Sequence, residues 1–183
     1  MARLLKITQF GNPILRQKVK TLTPKEVKSK TTQNLIANMR YTMHKKGYGV
    51  ALVAPQVAKS IAMFVIIKPN KNHPTRKIVD KVCINPKIIK TSGKKLPMWE
   101  GCMSLGDGET TLFGQTNRWP KISVKYIDEN GKKVLDDLDG LEAHVFQHEY
   151  DHLQGILFVD KVKNTETYMT MAEYQKRILK LKK

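Results

Sequence analysis

At 183 residues the chain is long enough for one domain around a single core, and no run approaches the roughly 20 apolar residues that span a bilayer. Two cysteines rule out a disulfide scaffold, and a start that turns polar by Lys6 is too short for a secretory signal, so the cytosol is the expected compartment and a membrane is not an expected partner. The net charge of +17, from 33 Lys and Arg against 16 Asp and Glu, attracts polyanions such as ribosomal RNA but equally describes a Lys-rich solvated surface.

Residues 1–28 read as an extended arm in which Gly11-Asn12-Pro13 marks a turn, and Thr23-Pro24-Lys25-Glu26 reads as a helix cap with Pro at the first helical position. Over residues 31–44, Leu35, Ile36, Met39 and Met43 recur at the three-and-four spacing of an amphipathic helix, which Lys46-Gly47-Tyr48-Gly49 ends. Residues 50–56 and 61–67 are apolar, strand-like runs, the second closed by a Lys68-Pro69-Asn70 turn and a basic loop through Arg76. Residues 78–84 and 86–90 predict further strand pieces. Ser92-Gly93-Lys94-Lys95 then turns the chain toward Trp99-Glu100-Gly101-Cys102-Met103-Ser104. Residues 105–114, rich in Gly, Thr and acid, are expected at the surface. Residues 121–127 place Ile122, Val124 and Tyr126 on one face, and Asp128-Glu129-Asn130-Gly131 leads into a partner strand over 134–138. A helix over 141–154 follows, stopped by Gly155, and residues 165–183 predict a last, basic helix. The sum is an α+β fold: antiparallel sheets around a central metal-binding helix, with an N-terminal and a C-terminal helix, in one domain whose final stretch, 164–183, is basic.

Within the predicted central helix, Gln147-His148-Glu149-Tyr150-Asp151-His152 spells His-Glu-x-x-His. Four residues is just over one helical turn, so His148 and His152 lie one above the other, where two nitrogens can close on one metal ion. Glu149 is turned about 100° from His148, off the ligand face but within reach of a water held there, as a proton carrier must be. A polar surface stripe is the plainer alternative. Against it, Ala143, Val145 and Phe146 precede the motif and Leu153, Ile156, Leu157 and Phe158 follow it, so the segment is largely apolar, and buried ionisable groups need a partner such as a metal. A catalytic site of this type takes three protein ligands and leaves a place for water. Cys102, in a tight segment between Gly101 and Ser104, is the candidate for the third, and its sulfur narrows the metal to softer divalent ions. Cys83, in an apolar run, reads as a core residue. His144 lies one turn before His148 on the same face; a fourth ligand there would shut out water, so it reads as a pocket wall or a neighbour of the ligands.

Three motifs resemble those of the peptide deformylases: Gly49-Val50-Ala51-Leu52-Val53-Ala54-Pro55-Gln56, Glu100-Gly101-Cys102-Met103-Ser104, and the helix motif continued by Leu153-Gln154-Gly155. Gly11-Asn12-Pro13-Ile14-Leu15-Arg16 fits as well, and the likeness covers residues 4–159. The resemblance implies a metal-dependent hydrolase that removes the formyl group from the N-terminal methionine of nascent polypeptides and releases formate. It places the metal ligands on Cys102, His148 and His152 and the general acid/base on Glu149. The oxyanion donors fall on the Gln56 side chain and the Met103 backbone N–H, and the substrate-binding wall on Val50, Ala51 and Val145. It implies one divalent ion, Fe²⁺ first, with Zn²⁺ or Ni²⁺ also suited to two imidazoles and a thiolate, and an N-formyl-methionyl peptide as substrate. It also pairs Glu100 with Arg118. The basic stretch 176–183 is expected to dock on ribosomal RNA near nascent chains.

Two departures from the family pattern stand out. Ala51 and Val53 occupy positions where the family carries Gly and Ala, which adds a Cβ where a peptide backbone approaches. Leu105-Gly106-Asp107-Gly108 lacks the Pro often found two positions after Ser104, which predicts a more mobile loop and a changed cleft wall. Two other classes fit parts of the sequence: a His-Glu-x-x-His metallopeptidase, which would not need Cys102, and a non-catalytic RNA-associated protein whose metal only holds the fold.

Overall fold

The computed structural model describes residues 2–67 and 80–180; the expected turn at Lys68-Pro69-Asn70, the basic loop through Arg76 and residues 181–183 of the tail lie outside them. The chain starts as an extended arm broken by a 3-10 turn at Pro13–Arg16, whose first turn is capped by the Asn12 side chain. Backbone bonds tie this arm down: Thr8 N–H donates to Gln56 O at 2.7 Å, Phe10 N–H to Ser104 O at 2.7 Å, and Val19 N–H to Leu153 O at 3.4 Å.

Helix α1 (Pro24–Val27) starts at the expected cap and is a single turn. Thr23 and Glu26 form a reciprocal capping box around it, and Pro24 stands where no N–H is needed. Helix α2 (Lys30–Lys46) is capped by Ser29 and ends at Gly47, whose φ of 71° is open to glycine and whose N–H returns to Met43 O. Its buried face carries Leu35, Ile36, Met39 and Met43, as the spacing required.

The strands in chain order are β1 (Ala51–Val53), β2 (Met63–Ile66), β3 (Lys81–Ser92), β4 (Leu96–Gly101), β5 (Leu112–Arg118), β6 (Lys121–Ile127), β7 (Lys133–Asp139) and β8 (Met169–Thr170). Five of them form an antiparallel sheet in the order β1-β2-β3-β6-β7, and three a second in the order β4-β5-β8. Helix α3 (Gly140–His152) follows β7 directly. The first sheet is covered on both faces at its β1–β3 end, which explains why 61–67 reads as an unbroken apolar run rather than an alternating one. Leu52, Met63, Val65, Val82 and Ile84 share a core with α2. Their neighbours Val53, Phe64, Ile66 and Cys83, with Val124 and Tyr126, share another with Ala143, Val145 and Phe146 of α3 and Leu153 just after it. Phe64 meets Phe146 edge to face, with ring centroids 5.1 Å apart at 83°.

Several expectations are corrected. The two strand pieces over 78–90 are one strand, β3, with register shifts at Ile84/Lys87 and Ile88/Lys90. Pro86 cannot donate to the ladder, so the strand bulges there, with Asn85 at φ 51°, and continues. Residues 105–114 are not all surface loop: Leu105 and Thr111 are buried, and β5 begins at Leu112. That strand was invisible to a hydrophobic pattern because its buried positions are Gly114, Thr116 and Arg118. The Pro-less loop is also clasped: Tyr48 Oη donates to Asp107, Lys46 Nζ lies 2.9 Å from Asp107, and Gly106 N–H donates to Gln9 Oε1 at 3.2 Å.

Among the described residues the long basic helix expected over 165–183 is not formed. A 3-10 turn at Thr165–Thr167 and strand β8 precede α4 (Met171–Arg177), which is seven residues long. Short polar side chains take up backbone N–H groups here, Asn164 from Glu166 and Thr170 from Glu173, and so favour turns and caps over continuous helix. Tyr174 of α4 stacks on Phe113 of β5, centroids 4.5 Å apart at 17°, and tilts against Trp99 of β4. No helix among the described residues is long and apolar enough to cross a membrane.

Candidate active site

Helix α3 lies between the two sheets, and its periodicity sorts its side chains. Ala143, Val145 and Phe146 go to the core shared with the five-stranded sheet. His144 and His148 turn toward Glu100 at the end of β4. His148 and His152, one turn apart, have ring centroids 5.0 Å from each other. Cys102 follows β4 immediately and brings Sγ to 3.3 Å from His152 Nε2. Gly101 permits that close approach, since a Cβ there would stand 2.3 Å from the Phe113 ring. One donor atom from each of Cys102, His148 and His152 lies within 4.8 Å of the others.

Gln56 sits in a 3-10 turn after β1 and is 2% exposed. Its Oε1 accepts from Val53 N–H at 3.0 Å, which aims Nε2 at Ser104 Oγ, 3.2 Å away, and at Cys102 Sγ, 3.4 Å away. Capping a backbone group and presenting a donor to the site are thus two ends of one amide. Met103 O accepts from Gln9 Nε2 at 3.0 Å, while Met103 N–H makes no backbone–backbone bond among the described residues. Val50, Ala51 and Val145 pack in one cluster on the α3 side of the sheet. Ala51 has ordinary strand backbone opposite Ile66, so its Cβ needs no strain. The position that does require glycine is Gly49, at φ 78°, where a Cβ would stand 3.3 Å from Met103 Sδ.

Behind Cys102, His148 and His152 lies a buried ionic network. Glu100 Oε1 receives Arg118 Nε at 2.5 Å, the Thr116 hydroxyl, and His144 Nε2 at 3.2 Å, and Oε2 receives Arg118 Nη2 at 2.9 Å and His148 Nδ1 at 2.7 Å. Arg118 continues to Asp151 Oδ2 at 2.5 Å, and Asp151 Oδ1 accepts from Lys161 Nζ at 2.7 Å. The Glu100–Arg118 pair expected from the sequence is present. Asp151 and Thr116 were missed, although Asp151 stands inside the helix motif at a position that follows His148 by three and therefore shares its side of the helix. Burial opposes charge on Glu100, but hydrogen bonds from Arg118, His144 and His148 outweigh it and hold the carboxyl well below its usual range. Burial likewise pulls His148 down, but its hydrogen bonds to Cys102 and Glu100 raise it well above the ordinary imidazole range. His152 is pushed well below that range by burial, with the cationic His148 adding to it. Burial pushes the Glu149 carboxyl up to about 7, against the pull of His148.

The donor set fits a divalent transition metal. His148 Nδ1 is committed to Glu100, which leaves Nε2 for the cluster, and His152 presents Nε2 to the sulfur. Glu149 Oε2 is buried without a hydrogen-bond partner, an unsatisfied acceptor beside the cluster that a water would occupy. Three such donors with an acid held just off their axis are the arrangement of metal-dependent hydrolases, the class to which fold and site together point.

A family model described as polypeptide deformylase matches residues 4–168. Peptide deformylase 2 of a Nostoc species is 36% identical over 179 residues, 97% of this chain and 96% of the relative. The peptide deformylase of Halothermothrix orenii is 41% identical over 159 residues, 87% and 94% of the two chains. Among solved structures, the enzyme of Thermotoga maritima superposes with a TM-score of 0.74 at 33% identity over 88% of this chain and 99% of that one. The Met-Ala-Ser-bound class I type b enzyme of Acinetobacter baumannii gives 0.79 at 31% identity, over 88% and 100%. The chain belongs to the polypeptide deformylase family. It is a metal-dependent hydrolase that removes the N-formyl group from nascent polypeptides.

Proposed function

We propose that Cys102, His148 and His152 hold one divalent ion and that Glu149, Gln56 and the Met103 N–H carry out the deformylation of N-formyl-methionyl peptides. The observation that carries this reading is the convergence of a sulfur from the middle of the chain with two ring nitrogens from α3 within 4.8 Å. Two imidazoles and a thiolate suit Fe²⁺ first, and Zn²⁺ or Ni²⁺ as well. Bound there, the ion supplies Lewis acidity, polarising a carbonyl and bringing the pKa of a water down to about 7.

The protein's own residues supply the rest. Water adds through oxygen to the formyl carbon, and Glu149 takes the proton it gives up. A carboxyl held near 7 by burial is matched to proton transfer in both directions at neutral pH. The oxygen of the former carbonyl gains charge, and Gln56 Nε2 and the Met103 N–H donate to it. The first donor is held in advance by Val53 and Ser104, and the arm anchors the residue that carries the second, Gln9 Nε2 donating to Met103 O. The C–N bond then breaks, Glu149 returns its proton to the leaving amine, and formate departs. Val50, Ala51 and Val145 form the apolar wall for the peptide.

Replacing Glu149 by Ala is expected to lower formate release from a formyl-Met peptide by about 10²- to 10⁴-fold while the protein still binds its metal. Equal release from the variant ends the assignment, and no release from the wild type ends the reading as a whole. Elemental analysis of protein prepared without oxygen identifies the ion. A metallopeptidase has less support, because Cys102 is drawn into the cluster.

We place ribosomal RNA as a second partner, with Lys176, Arg177 and Lys180 exposed on and beyond α4 as the contact. Changing these three to Gln should weaken co-sedimentation with ribosomes and flatten its salt dependence. If neither moves, the RNA contact lies elsewhere or is absent.

A further inference from the structure

We infer that His144 is a positioning residue that acts through Glu100 on the ring of His148. The inference rests on the reading of His148 as a metal ligand. His144 and His148 stand one helical turn apart on the same side of α3. Their rings reach opposite oxygens of one carboxylate, His144 Nε2 to Oε1 at 3.2 Å and His148 Nδ1 to Oε2 at 2.7 Å. Glu100 thus bridges two turns of the ligand helix.

The other donors to that carboxylate, Thr116 and Arg118, both come from β5. They fix Glu100 to its own sheet, and Arg118 runs on to Asp151 of α3. His144 bonds the carboxylate itself to the helix, so the distance and angle between carboxylate and ligand ring are set from both sides. An ion-bound imidazole whose other nitrogen donates to an oriented carboxylate is held in one tautomer and one ring plane, and losing such support typically weakens metal binding by about 10- to 100-fold.

The cost at this position points the same way. His144 is 6% exposed and its Nδ1 is buried with no hydrogen-bond partner. An apolar residue on this helix face would carry no such unsatisfied atom. What the imidazole brings is Nε2 against Glu100.

The test compares His144→Leu, His144→Asn and His144→Gln in the full chain. Asn stops short of Glu100, whereas the Gln amide nitrogen reaches about where Nε2 stands. With Co²⁺ as the probe, release to a chelator should be about tenfold faster in the Leu and Asn variants, with an altered visible absorption band, and near wild type in Gln. A merely structural His144 would lower the melting temperature of metal-free protein in Leu and Asn yet leave Co²⁺ release and its spectrum unmoved, and that result overturns the inference. If the Leu variant does not fold, Asn against Gln decides by the same criterion. Wild-type protein that takes up no Co²⁺ would remove the ligand assignment and this inference with it. Normal uptake with unchanged variants removes the inference alone.

Discussion

Arg118 stands between two carboxylates, Glu100 and Asp151, with its side chain 3% exposed. Its guanidinium fork satisfies Glu100 bidentately and still has a nitrogen for Asp151, a geometry that Lys cannot reproduce. Arg118→Met would leave both acids buried and short of a partner, so a loss of about 3–5 kcal/mol in unfolding free energy is expected, read from denaturant titration. The same cluster sets an acid limit on stability. Glu100 is held well below 4.5 in the folded protein, so its stabilising contribution is complete above the unfolded value of about 4.5 and is lost as pH falls from there toward its depressed folded value. The urea midpoint of the wild type should therefore drop more steeply below pH about 4.5 than that of Glu100→Gln, measured on metal-free protein. Parallel curves would mean that Glu100 titrates normally. At this scale the sequence was informative where side-chain type and spacing decide: Cys102, His148 and His152, singled out together, bring their donor atoms within 4.8 Å of one another. It was silent on Thr116 and Asp151, because a hydroxyl on a strand and an acid inside a motif become partners of Glu100 and Arg118 only once two sheets are folded against one helix.

Elements were legible to the extent that their own pattern decided them. Helix α2 and the β6–β7 hairpin follow local periodicity and turn chemistry, and both formed nearly where expected. Strand β5 did not show, because its inward positions are Gly114, Thr116 and Arg118, chosen for the ionic network and close packing rather than for hydrophobicity. The tail read as one long helix because periodicity ignores the capping side chains of Asn164 and Thr170, which compete locally for the backbone. Gly155 shows an element's end fixed by tertiary structure: its φ is 74°, and a Cβ would lie 2.4 Å from Arg16 O, a backbone atom of the arm. Gly155→Ala should cost at least about 1–2 kcal/mol from the left-handed conformation alone. It should also displace the arm, seen as faster hydrogen exchange at Val19 N–H, which donates to Leu153 O. An unchanged exchange rate would show that the arm adapts.

In the whole molecule all three cores reach the site: the one packed on α2 through Met103, the one packed on α3 through Val145 and Phe146, and the third through Cys102. The cluster of Cys102, Leu105 and Phe158 touches the ligands themselves, with Phe158 stacked near His148 at 6.1 Å between centroids. None of that layering could be read from the sequence, since which face of the first sheet meets which helix depends on long-range pairing. The fold class, antiparallel sheets around a central helix, followed from the order of strands and helices; which sheet face packs on which helix did not.

The N-terminal arm touches every part of this assembly. It reaches Gln56 through Thr8, Met103 and Ser104 through Gln9 and Phe10, Leu153 through Val19, and Asp160 through Arg16. The arm is thus bonded to segments as many as 144 positions further along the chain. A polypeptide still emerging during its own synthesis has the arm but not yet its anchors, and closure must wait until the chain has passed Asp160. The arm's bonds to Gln56, Met103 and Ser104 brace the site from outside its own elements, so a chain cut short before α3 is expected to leave the arm loose as well as the site incomplete.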